Sequence, residues 1–97
     1  MFTNRMRPVH PGEVLREEYL VPLNMSTREL AGALLVSSAQ VSRIAREKLG
    51  ISPTMALRLS HYFGTTPEFW LNLQMTYELR LAREASGDSI INMIEPR

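Results

Sequence analysis

Between Ser37 and Lys48 the chain sets Ser37, Ser38, Gln40, Ser42, Arg43, Arg46 and Lys48 close together, with Glu47 the one acid among them. These groups recognise; they do not break bonds. The stretch has no histidine or cysteine and no pair of carboxylates, so the serines have no base to activate them. Gln40 has the donor–acceptor pair for a bidentate contact to adenine, and Arg43 has the fork for one to guanine. Ser38 and Ser42 are short enough to touch bases or phosphates. Arg46 and Lys48 suit phosphate oxygens better than base edges. The plainer alternatives are a capping role for Gln40 and a solvated surface charge for Arg43.

Two short helices must hold this set. Thr27 to Arg46 reads TRELAGALLVSSAQVSRIAR. Leu30, Ala31 and Leu34 fall on one face of a first helix, and Val41 and Ile44 on one face of a second. Leu35-Val36-Ser37 between them has room only for a sharp corner. Ser37 is placed to cap the second helix and could also meet a phosphate there. Thr27 and Arg28 open the first helix, where they could clamp the backbone of the flanking strand. The layout is that of a helix-turn-helix whose second helix enters the major groove.

Cap signals extend the helical reading along the chain, and no period-two run suggests a sheet. Pro11-Gly12-Glu13 opens a first helix carrying Val14, Leu15, Tyr19 and Leu20, which Pro22 stops. Ser26 with Glu29 forms a capping box for the second, and Ser37 with Gln40 repeats it for the third, with Gly50 ending the segment after it. Ser52-Pro53 starts a fourth helix, with Met55, Leu57, Leu59, Tyr62 and Phe63 on its buried side and Gly64 beyond its end. Thr66-Pro67-Glu68 starts a fifth, expected to run to about Ser86 and stop at Gly87. The expected class is all-α, with five helices and a long last one.

That last helix has too many apolar sides for a lone surface helix. Phe69, Leu73 and Tyr77 form one stripe, and Leu71, Met75, Leu79 and Ala82 another, with Trp70 and Leu81 between. One stripe can seal a core; the other needs a cover. A dimer interface through Phe69, Trp70, Leu73, Tyr77 and Leu81 is therefore expected, the alternative being that both stripes are core. The tail, residues 88–97, adds an apolar run at Ile90, Ile91, Met93 and Ile94.

Length and composition fit this plan. The chain has 97 residues, 44% hydrophobic and 22% charged, which suits one domain, read as residues 1–97. No run approaches the ~18 apolar residues of a membrane span, and MFTNRMRPVHPGE lacks the apolar stretch of a secretory signal. The absence of cysteine removes disulfides and thiolate metal sites and agrees with a reducing cytoplasm. His10 and His61 stand in no ligand spacing, so no metal or other cofactor is expected. A formal net charge of +1 is low for a nucleic-acid module, but Arg43, Arg46 and Lys48 make the reading helix locally basic. Such a protein is expected to bind DNA as a dimer.

Three stretches carry a resemblance to a known family: RPVHPGEVLREEYLVPLNMS, the helix-turn-helix, and ISPTMALRLSHYFGTTPEFWLNLQMTYELRLA. The helix order resembles the lambda-repressor-like, Xre-type helix-turn-helix domain. The HPGE and TPEFWLNLQ motifs make it similar, more narrowly, to the HigA antitoxins of bacterial toxin–antitoxin operons. The resemblance implies a non-enzymatic homodimer that represses its own operon at an operator and neutralises a HigB-type toxin, a ribosome-dependent mRNA endonuclease. Two positions depart from the family pattern. Leu35 stands where glycine is common, so either the turn differs or strain is tolerated. Residues 45–50 also differ from the usual Asn-Gly-Lys-type loop. Two other functions stay open: a stand-alone Xre-type regulator, and a toxin-covering protein with little DNA affinity. A hydrolase using His10 or His61 has no supporting constellation.

Overall fold

The computed structural model describes residues 7–97, so Met1 to Met6, part of the assigned domain and of the opening segment read as non-secretory, lie outside the described residues. The described residues form helices joined by turns and short irregular links, with no strand among them. Helix α1 (Pro11–Val14) runs directly into a π-helical segment, Leu15–Leu20. Next come α2 (Thr27–Leu34), α3 (Ser38–Ala45), α4 (Pro53–Phe63) and α5 (Pro67–Ala82). A second π-helical segment, Arg83–Gly87, leads into α6 (Asp88–Met93).

The helix starts form by local chemistry. Ser26 Oγ accepts from the Glu29 N–H at 3.0 Å, and Glu29 Oε1 accepts from the Ser26 N–H at 2.8 Å. Ser52 caps α4 through the Met55 N–H, and Thr66 caps α5 through the Phe69 N–H, both at 3.1 Å. Each satisfies a donor that the first helical turn leaves without a partner. At α3 the Ser37 half of the expected box is seen, with its Oγ accepting from the Gln40 N–H at 3.1 Å.

The ends depend less on glycine than expected. Asn24, Leu35, Glu47 and Gly64 all have positive φ. In each case the next residue's N–H reaches back to close the preceding helix: Met25 to Leu20 O, Val36 to Ala31 O, Lys48 to Arg43 O and Thr65 to Ser60 O. Gly87, by contrast, does not stop α5. It holds helical angles (φ −56, ψ −47), and the helical path continues to Met93. Glycine permits a left-handed stop but does not impose one, and Asp88-Ser89-Ile90 continues helically. The tail, residues 88–97, is thus helical as far as Met93.

The core gathers Leu15 from the first π-helical segment and Leu30, Leu34, Val41, Ile44, Met55, Leu59 and Trp70 from α2 through α5. Trp70 is 0% exposed, its Nε1–H donates to Thr65 Oγ1 at 2.8 Å, and its ring meets those of Tyr19, Phe63 and Phe69. This corrects its expected place in a dimer interface: the ring is enclosed within the protomer. The first helix seats the reading helix very closely. A Cβ on Gly12 would lie 1.8 Å from the Ile44 carbonyl oxygen, so only glycine allows this approach. Upstream, Arg7 clamps Glu13 through two bonds of 2.7 and 2.8 Å.

Candidate nucleic-acid interface

Helix α3 is anchored by Val41, Ile44 and Ala45, all buried. That leaves Ser38, Arg43 and Arg46 exposed, with Gln40 and Ser42 half-buried at the flanks. Ser37 sits at its start as cap, exposed. Thr27 and Arg28 open α2, the first half-buried and the second exposed. Thr27, Ser42 and Arg46 line one open groove with Arg16 and Met25, so side chains from the two helices meet there. Lys48 lies just past the left-handed residue Glu47 and is exposed.

The corner between α2 and α3 is intact despite its leucine. Leu35 has φ 59 and ψ 44, fully left-handed, and is 82% exposed. Among non-glycine residues this conformation costs on the order of 1–2 kcal/mol. Two features hold it. Its own N–H bonds Gly32 O at 3.3 Å while Val36 N–H bonds Ala31 O at 3.0 Å, and Val36 packs on the core. From α4, Arg58 Nη1 donates to Leu34 O at 2.7 Å. The strain is tolerated and the turn keeps its form.

Arg16 was not among the candidate residues of the sequence. It lies on the π-helical segment, donates to the Ala45 carbonyl at the end of α3, and pairs with Glu47 at 3.3 Å and Glu17 at 2.9 Å. Its guanidinium pKa is raised, first by the hydrogen bond to Glu17. Glu47, the one acid of the reading stretch, is thereby drawn towards the first π-helical segment. Among the described residues, Arg28, Arg43, Arg46 and Lys48 form no ion pair. Their charge is available to a phosphate. No local sequence signal points to Arg16, because Ala45 and Glu47 lie about 30 positions downstream in the chain.

His10 has a structural place. It is buried, its Nδ1 accepts from the Gly12 N–H at 2.8 Å, and its ring meets Tyr77 edge-on at 4.8 Å. Burial pushes its pKa below the usual histidine value; Glu47 acts against this and Arg16 with it. Of the expected dimer residues, Phe69 and Leu81 are exposed, while Leu73 and Tyr77 are half-buried. The exposed apolar side of α5 also includes Met75 and Leu79.

A family model described as helix-turn-helix matches residues 15–70. The chain is 50% identical to the Pseudomonas aeruginosa antitoxin HigA, solved with the higBA promoter, covering 93% of this chain and 98% of that one at a TM-score of 0.90. This chain belongs to the helix-turn-helix family of HigA-type antitoxins. The antitoxin GraA, solved in complex with its operator, is 48% identical to this HigA-type chain, covering all of it and 98% of GraA at a TM-score of 0.90. Antitoxin HigA-1 of Vibrio cholerae is 37% identical over 81% of this chain and 74% of its own. Relatives of this HigA-type chain are named as antitoxins or as helix-turn-helix transcriptional regulators, names of DNA-binding proteins and not of enzymes. Among the described residues, no helix is long and apolar enough to cross a membrane.

Proposed function

We propose that this protein binds double-stranded operator DNA as a homodimer in the cytoplasm, represses its own toxin–antitoxin operon and neutralises a HigB-type toxin. The observation that carries the proposal is the outward face of α3. There Arg43 and Arg46 are exposed and form no ion pair with described residues, on a helix whose other face is locked into the core. Arg43 and Gln40 contact base edges. Arg46 and Lys48 contact phosphates, as do Thr27 and Arg28 from α2, while Ser37, Ser38 and Ser42 bond whichever oxygens fall within reach. Two protomers, joined through Phe69, Leu73, Tyr77 and Leu81 on α5, place their α3 helices in half-sites about one helical turn apart. Support comes from relatives solved with promoter or operator DNA at about half identity over nearly the whole chain. The name of HigA-1 as an antitoxin supports the toxin partner.

The test has two arms. Purified protein is titrated against a labelled fragment of its own promoter and against unrelated DNA, at low and high salt. The proposal expects tight binding to the promoter that weakens steeply with salt, because phosphate neutralisation releases counterions. Equal, weak binding to both DNAs removes the operator claim. In the second arm, the tagged protein is co-expressed with the small reading frame beside its own. Failure to co-purify, with no protection against that product's toxicity, removes the toxin claim.

A further inference from the structure

The outward face of α3 has a centre, and the residue nearest it on the N-terminal half is Ala39. At about 100° per residue in an α-helix, the direction opposite Val41, Ile44 and Ala45 falls between Ala39 and Arg43. Exposure agrees, since Ala39, Arg43 and Arg46 are exposed while Gln40 and Ser42, to either side, are half-buried. Ala39 is therefore a lone methyl at the front of a face otherwise made of hydroxyl, amide and guanidinium groups. It can neither donate nor accept a hydrogen bond. In the major groove the one feature an apolar carbon complements is the C5-methyl of thymine; all the others are donors or acceptors.

We propose that Ala39 is a specificity-determining residue that reads the C5-methyl group of one thymine in each half-site. The inference rests on the DNA-binding reading above. Arg43, on the next turn of the same face, takes a neighbouring base pair and fixes the register. The contact between Ala39 and the methyl excludes water and favours thymine over cytosine at that position. A larger residue at 39 would hold the helix away from the base edges, and a polar one would ask for a different base.

The probe is the protein's own promoter fragment, made as synthetic duplexes in which single thymines are replaced by deoxyuridine. That replacement removes the methyl and keeps every hydrogen-bonding group. Binding is measured for the unaltered protein, for Ala39→Gly, and for Ala33→Gly, which loosens an exposed alanine position in α2 as a control. The expected result is one position per half-site where deoxyuridine weakens binding about three- to five-fold. Ala33→Gly keeps this sensitivity, and Ala39→Gly loses it whatever its overall affinity. Specific promoter binding with no uridine-sensitive position overturns the role of Ala39 and leaves the DNA-binding reading standing. So does a sensitivity that persists in Ala39→Gly, or one lost in both variants. Absence of specific promoter binding by the unaltered protein overturns both.

Discussion

Helices α3 and α5 treat their apolar side chains differently. Eight-residue α3 buries Val41, Ile44 and Ala45 within the protomer, and every other side chain on it except Ala39 is polar. Sixteen-residue α5 fully buries Trp70 alone, and leaves Phe69, Met75, Leu79 and Leu81 facing outward. The first helix is completed by its own chain and has a polar face to spare. The second keeps an apolar side that its own chain does not cover. The surface proposed for recognition and the one proposed for assembly therefore differ in burial. The polar one rests on a full core, and the apolar one lacks a partner within its own chain.

The contrast can be attacked first at Trp70, the point where α5 does belong to the core. Trp70→Ala should cost about 3–5 kcal/mol of folding stability, read as a lower urea midpoint at any protein concentration. A loss confined to dimer dissociation, with the protomer equally stable, would return Trp70 to the interface. Gly12→Ala tests how tightly α3 is seated. The added methyl collides with the Ile44 carbonyl, and overpacking of this kind costs about 1–3 kcal/mol. An unchanged thermal midpoint would mean that α1 can move aside freely.

Leu35→Gly should act in the opposite direction. It relieves the left-handed strain and, because the side chain is almost fully exposed, gives up little burial. Part of the gain is cancelled by the greater freedom of glycine in the unfolded chain, leaving a net stabilisation of about 0.5–1 kcal/mol. A drop in the melting temperature would show that the leucine makes contacts worth more than its strain. A smaller effect should follow pH. Burial lowers the pKa of His10, so between its folded value and the unfolded value of about 6.5 the unfolded chain binds more protons. Its contribution to stability is thus complete above that unfolded value, lost as pH falls through the window, and level below it. Protonation at Nδ1 would also break its bond from the Gly12 N–H. His10→Asn should flatten this part of the stability curve; an unaltered slope would place its cause elsewhere.

How much was legible in the sequence follows the range of the interactions. The starts of α2, α4 and α5 were legible because Ser26, Ser52 and Thr66 act on donors three residues away. The apolar spacing of α2 and α3 was legible because periodicity alone selects the buried face. Leu35 could be marked as strained, but its tolerance depends on Arg58, which holds the neighbouring Leu34 carbonyl from 24 positions away. Gly87 misled because a glycine's allowed conformations do not reveal the one used. Trp70 and Leu81 lie between two stripes of one helix, and only the packed core separates the ring that turns inward from the side chain that turns outward. The seating of α3 by Gly12 and Arg16 was illegible for the same reason, since both act across the fold.

The most direct test of the account is the affinity of Arg43→Ala for the protein's own promoter, set beside its urea unfolding curve. Arg43 is exposed and pairs with no described acid, so stability should stay within about 0.5 kcal/mol. Promoter binding should weaken by about 1–3 kcal/mol per contact, with relaxed specificity at one base pair of each half-site. Undiminished, equally specific binding by a fully folded variant would contradict the assignment of Arg43, and with it the claim that the outward face of α3 reads the operator.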